Sequence, residues 1–161
     1  MQLDEFSYEM KDKMKRINID ITNKQVEKFF SYMNLLIEWN KKINLTTIIE
    51  PKEIIIKHFV DCGTILKYLK DGENVIDIGT GAGFPGIPVK ILNENLNVTL
   101  VDSLNKRINF LNEVCIALDL KNIELIHSRA EDLAKNKSYR ENFDKSVSRA
   151  VANLTTLAEY D

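Results

Sequence analysis

Val75-Ile76-Asp77-Ile78-Gly79-Thr80-Gly81-Ala82-Gly83-Phe84-Pro85-Gly86-Ile87-Pro88-Val89 reads as an apolar strand bearing one acid, a loop with glycine at alternate positions, and a helix opened by proline. Glycine has no Cβ, so such a loop turns sharply and lets a ligand approach its backbone. A strand–loop–helix unit of this kind is the nucleotide cradle of doubly wound α/β proteins. Gly81, Gly83 and Gly86 also fit the G-x-G-x-x-G pattern of dinucleotide sites, and Asp102 follows near the place of a ribose-binding acid. That pattern is weak by itself. Two details speak against a diphosphate. Asp77 stands on the strand tip, where a carboxylate repels phosphate and attracts an ammonium or sulfonium ion. Pro85 and Pro88 remove two N–H donors from the helix start, where an anion would need them. The residues therefore favour S-adenosylmethionine over NAD, with a tight turn that binds nothing as the remaining reading.

Outward from this unit the pattern alternates strand and helix. Strands are expected at 74–78, 98–102, 123–127 and 143–148, with helices at about 85–94, after Ser103 as N-cap, around 131–136, and from Leu154 to Tyr160. Strand–helix–strand order of this kind implies a parallel sheet with right-handed crossovers. The first seventy residues read as helices instead. Leu3, Phe6, Met10, Met14 and Ile17 form one stripe. Thr22 and Gln25 form a capping box before a helix with Val26, Phe29, Phe30, Met33, Leu36 and Ile37 inward. Pro51 suits the first turn of a third helix over 52–70. The expected architecture is α/β: a helical region (1–71) followed by a Rossmann-like cofactor-binding domain (72–161). Four strands are few for a doubly wound sheet, and the chain stops inside an expected helix. We expect the native domain to continue, a compact four-strand version being the alternative.

Composition narrows the class. The chain has 161 residues, 44% of them hydrophobic, enough for one solid core. It shows no apolar run of bilayer length and no signal-peptide pattern, so a cytosolic protein is expected. Cys62 and Cys115 are isolated and read as free buried thiols. His58 and His127 have no cysteine at ligand spacing, so no metal is expected. The net charge of −2 advertises no global nucleic-acid surface, although the first seventy residues carry a small basic excess.

Ligands in such folds lie at the carboxyl ends of the strands. Four places converge there: Asp77 with Gly79, Gly81, Gly83 and Phe84; Asp102, whose carboxylate can accept ribose hydroxyls; Ser128-Arg129-Ala130-Glu131-Asp132; and Ser148-Arg149-Ala150. The third is equally an ordinary helix start, since acids favour a first turn. Arg149 at a strand end needs a partner. A phosphate or a guanine edge matches its donor fork, and a salt bridge to Asp77 or Glu131 is the structural alternative. The segment Trp39 to Thr47 is either a helix end with its loop or a surface for ligand or RNA. No Asn/Asp-Pro-Pro-Tyr pattern, Pro-Cys nucleophile or Cys–His pair is present, so the methyl acceptor should already be nucleophilic. Guanine N7, with its free lone pair, qualifies, and catalysis would be mainly alignment.

DIGTGAGFPGIP (77–88), VDSLNKRINFL (101–111), SRAED (128–132), SRAVA (148–152), WNKKINLTT (39–47) and HFVD (58–61) together resemble the small-subunit ribosomal RNA methyltransferase G family, also called glucose-inhibited division protein B. The resemblance covers essentially the whole chain. It implies a bacterial cytoplasmic enzyme that uses S-adenosylmethionine to methylate guanine N7 in 16S rRNA or the small subunit; a monomer is expected. By motif, Gly79 and Phe84 would bind the cofactor, Asp102 the ribose, and Ala130 and Glu131 the adenine. Arg149 would be the catalytic position beside cofactor and base, aligning rather than taking a proton. Asn40, Lys41, His58 and Arg129 are candidates for RNA contact. Two departures stand out. Family members are longer, and Lys145 falls in strand four, where the family pattern is apolar. A non-catalytic cofactor-binding fragment and an NAD(P)-dependent oxidoreductase domain are the competing readings; the latter lacks a Tyr-Lys or His pair.

Overall fold

The computed structural model describes residues 1–136 and 142–149. The helix expected from Leu154 to Tyr160, with Ala150, lies outside the described residues. Four parallel strands form one sheet in the order β3-β2-β1-β4: β1 (Asn74–Ile78), β2 (Asn97–Asp102), β3 (Ile123–His127) and β4 (Lys145–Val147). Asp77 lies opposite Leu100 and Val147, and Asp102 opposite His127, so the chain leaves all four strands toward the same edge. β1 is central, which is why Val75 to Ile78 are buried on both faces and the strand reads as a continuous apolar run around one acid.

The period of two sorts the strand side chains. Val75, Val98 and Leu100 join the main core, whereas Ile76, Ile78 and Val101 face the opposite layer with Leu133. The main core is shared between the sheet and the helical region. α1 (Leu3–Lys15) contributes Phe6, Met10 and Met14; α2 (Asn23–Asn40) contributes Val26, Phe29, Tyr32, Met33 and Leu36. The capping box at Thr22 and Gln25 forms as its sequence predicts. The Gln25 amide does more than cap. Its Nε2 donates to the carbonyls of Ile91 and Leu92, at the end of α5 (Gly86–Leu92), and so ties the helical region to the first crossover helix.

Four details differ from expectation. Leu3 is exposed and Ile17 only partly buried, so the α1 stripe is shorter than its periodicity suggests. The third helical segment is not uniform: α3 (Pro51–Ile54) passes into a π-helical turn (Ile55–Val60), a short α4 (Asp61–Gly63) and a 3-10 turn (Leu66–Tyr68). Ser103 is not the N-cap of α6 (Asn105–Ala117). Leu104 holds that place, and the Asp102 carboxylate accepts the Leu104 N–H instead. β4 is three residues long and pairs only with β1 among the described residues, so Lys145 is 43% exposed and reaches within 3.7 Å of Glu73. An ammonium is tolerable there because its head meets water and a carboxylate. The last short helix, α7 (Ala130–Ala134), follows β3.

Candidate functional site

The site is built on the loop between β1 and α5. Gly79, Gly81 and Gly83 take φ of 67°, 61° and 99°, the left-handed region where a side chain is strained. Their surroundings separate them. A Cβ on Gly81 would meet nothing within 4 Å, so this face of the loop is open. A Cβ on Gly83 would fall 2.6 Å from Ile87, 2.7 Å from the Tyr32 hydroxyl and 3.0 Å from Leu111. Gly83 therefore lets the core close, while Gly81 leaves the loop accessible.

Most of the loop's donors are already spent. Thr80 N–H goes to the Val101 carbonyl, Gly83 and Phe84 N–H to the Thr80 carbonyl, and Ile87 N–H to the Gly83 carbonyl. Gly81 N–H goes to Asp102 Oδ2 and Gly86 N–H to Asp77 Oδ2, both at 2.8 Å. Pro85 and Pro88 have none to give. A diphosphate needs converging N–H groups, and this loop turns them inward.

What the loop does present is Asp77. The carboxyl is fully buried; Oδ2 accepts from Thr80 Oγ1 at 2.7 Å and from Gly86 N, but Oδ1 has no partner. Burial pushes its pKa up to about 8, against the opposing pull of the Thr80 and Gly86 hydrogen bonds. A buried, half-satisfied carboxyl of this kind gains by meeting a cation. Asp102, also buried, accepts from Gly81 N, from Leu104 N at 3.0 Å and from Arg107 Nη1 at 3.4 Å. Three donors against about four acceptor positions leave room for one hydroxyl. A second would displace the long Arg107 contact.

Phe84, 8% exposed, links the loop to the helical region. The His58 ring stacks on it at 4.2 Å between centroids, and the Arg149 guanidinium carbon sits 5.6 Å from its centre. Arg149 does not pair with Asp77 or Glu131. Its Nη1 donates to Cys62 Sγ at 3.1 Å, its Nη2 to the Lys57 carbonyl at 3.2 Å, and Asp61 Oδ2 lies 3.6 Å from Nη2. A guanidinium binds where several acceptors converge, and the π-helical turn with the α4 residues that follow it supplies them. The Nη1–Nη2 edge that could have read a guanine is thus largely committed.

The remaining sequence-selected residues scatter. Ala130 and Glu131 start α7 beside the same sheet edge, Glu131 exposed and 4.0 Å from Arg129. Arg129 is exposed and paired with Asp132 at 2.9 Å. Lys41 is exposed beside Glu38. Asn40 turns its Oδ1 to the N–H groups of Leu45 and Thr46, pinning the loop after α2. His58 is buried, its Nε2 at 2.9 Å from Thr46 Oγ1 and its Nδ1 unpartnered. Desolvation first, then Arg149, lowers its pKa to about 4, so the ring is neutral. Sequence reasoning missed Tyr32, whose buried hydroxyl donates to the Ala82 carbonyl and supports the glycine loop from α2. A polar tip in an otherwise apolar helical stripe was the available signal. Thr80 was missed although its hydroxyl meets Asp77 within the same loop, and Asp61 and Cys62 were missed because their tasks depend on contacts across the chain.

The family model described as rRNA small subunit methyltransferase G matches residues 25–161. The chain belongs to this family. Curated proteins named "Ribosomal RNA small subunit methyltransferase G" are similar to it. One from Desulforamulus reducens is 55% identical over 98% of this chain and 67% of its own length. Another, from Clostridium botulinum, is 58% identical over 89% of this chain and 61% of its own. The chain thus spans roughly two-thirds or less of the relatives' length. Among solved structures, a variant of MtNAS aligns over 81% of this chain and 51% of its own, with a TM-score of 0.51 and 16% identity. That likeness is one of fold alone.

Proposed function

We propose that the carboxyl edge of the sheet binds S-adenosylmethionine and that the protein methylates guanine N7 in 16S rRNA of the small ribosomal subunit. The observation that carries the cofactor is Asp77, a buried carboxyl with an unpartnered oxygen under a loop that commits the N–H groups of Thr80, Gly81, Gly83, Phe84 and Gly86 internally and has prolines at 85 and 88. Membership of the family supports the reaction and the RNA.

The residues fit this group. Asp77 would hold the ammonium of the methionine part, and the open face of Gly81 admits it, with Gly79 beside it. Asp102 would take a ribose hydroxyl, and Ala130 and Glu131 the adenine edge. Phe84 and Arg149 would flank the reacting end. When bound, the cofactor supplies a methyl group on a positively charged sulfur. Guanine N7 attacks with a free lone pair, so no residue need remove a proton; the protein's work is alignment and exclusion of water. Neutral His58, stacked on Phe84, adds no positive charge beside a base that becomes cationic. Lys41 and Arg129, both exposed, suit phosphate contact better than Asn40 and His58, which have internal partners. On this reading residues 1–71 cover a cofactor-binding half, 72–161, in a cytoplasmic bacterial monomer. No helix among the described residues is long and apolar enough to cross a membrane.

Calorimetric titration with S-adenosylhomocysteine, with NADH as the control, tests the cofactor. Saturable binding of the first and none of the second is expected; the reverse would overturn the reading. Methyl transfer to small-subunit rRNA, assayed beside the longer Desulforamulus relative, tests the reaction. Binding without transfer by this chain favours the alternative of a cofactor-binding fragment, which the 61–67% coverage of the relatives makes specific.

A further inference from the structure

Arg149 stands just past β4, yet its partners among the described residues lie in the helical region, between Lys57 and Cys62. A long arginine at a strand end would ordinarily sweep through water. Here three different acceptors meet it: a neutral thiol, a backbone carbonyl and a carboxylate. Cys62 is buried and its thiol pushed up to about 12, chiefly by desolvation, so it accepts as a neutral group. Asp61 is the charged member of the three and its side chain is 59% exposed. The π-helical turn at Ile55–Val60 precedes it directly, and turns of this type recur where a helix must present groups to a site.

We propose that Asp61 is a positioning residue: with Cys62 and the Lys57 carbonyl it latches the Arg149 guanidinium over the Phe84 ring, so that the arginine meets cofactor and acceptor in one orientation. The inference rests on the placement of Arg149 beside the cofactor given under the proposed function. An exposed ion pair adds little to stability, so the fold does not account for the latch. Orientation does. A reacting group displaced by about 1 Å can lose on the order of a hundredfold in rate. The latch also joins the helical region to the sheet at the one edge where ligand would bind, and the order of one half then sets the geometry of the other.

The test is a double-mutant cycle on this chain, read by S-adenosylhomocysteine affinity and thermal unfolding. Asp61→Ala is expected to weaken binding about tenfold, in the range of coupled neighbours, while the melting temperature moves by less than about 2 °C. Asp61→Glu should recover part of that loss. In an Arg149→Ala background Asp61→Ala should cost nothing further. If Asp61→Ala leaves affinity unchanged, or costs the same factor with and without Arg149, the latch is refuted and the placement of Arg149 is untouched. If Arg149→Ala binds as well as the parent, the placement of Arg149 fails, and the latch with it. An unchanged Asp77→Asn affinity would instead count against the cofactor site itself, which separates the two failures.

Discussion

Gly81 and Gly83 share a left-handed backbone but differ in what surrounds them, and their alanine variants should separate binding from folding. Gly83→Ala places a methyl among Ile87, Tyr32 and Leu111 at a φ of 99°. Overpacking and strain together should cost about 3 kcal/mol in denaturant unfolding. Gly81→Ala meets open space, so only the backbone term of about 1 kcal/mol applies. It should nevertheless weaken S-adenosylhomocysteine binding, because the methyl occupies the face where ligand would lie; unchanged affinity would show that this face is not the cradle. The sequence carried the glycines and Asp77 plainly, since backbone freedom and a strand-tip acid are local properties. It could not carry the partners of Arg149. An arginine at a strand end asks for anions, and the nearest in the fold is Asp61, almost ninety residues earlier, not the neighbouring Glu131. The burial of His58 was illegible for a similar reason, since it comes from a stack on Phe84 that the residue's own segment does not record.

Among the elements, α2 is held at its start by a residue with two tasks. Gln25 completes the capping box through Oε1 and binds two α5 carbonyls through Nε2. Gln25→Ala loses both, and the expected cost is about 2 kcal/mol, a cap plus one net hydrogen bond. Gln25→Glu keeps an acceptor for the cap but turns a carboxylate on two carbonyls. It should therefore be no better than alanine by thermal unfolding, and parental stability would mean the interhelix bonds contribute nothing. Lys145→Ala on short β4 should change stability by less than about 0.5 kcal/mol, as suits an exposed pair with Glu73. Strand positions were legible because strands read as apolar-rich runs bounded by turns: buried 74–78 and the only partly buried 123–127 match to the residue. The third helical segment was less so. Its apolar spacing is helical, but the extra residue of the π-helical turn is set by what Phe59, His58 and the Arg149 acceptors must face, and no local periodicity records that.

At the scale of the whole molecule, two buried groups impose opposing pH dependences on stability. Asp77 ionises near 3.8 in an unfolded chain but only at about 8 when folded. As pH rises through that window the unfolded chain loses its proton first, so Asp77 draws stability down between pH 3.8 and 8, by at most about 1.4 kcal/mol per unit. His58 acts oppositely. Its folded value of about 4 lies below 6.5, so stability is lost as pH falls from 6.5 toward 4. The two slopes offset each other below pH 6.5 and leave Asp77 alone above it. The ligand-free protein should therefore melt progressively lower from pH 6.5 to 8, by up to about 6 °C per unit for a chain of this size. An ammonium against Asp77 Oδ1 would favour the carboxylate, drive its pKa down and flatten that slope. The melting shift produced by S-adenosylhomocysteine should then grow from pH 6.5 toward 7.5, and Asp77→Asn should remove both the slope and its ligand dependence. Scans at fixed ligand excess in a buffer of constant ionic strength would decide the matter. A flat ligand-free profile would mean that the Asp77 carboxyl is not held neutral by its burial. A slope that survives ligand would place the positive charge elsewhere.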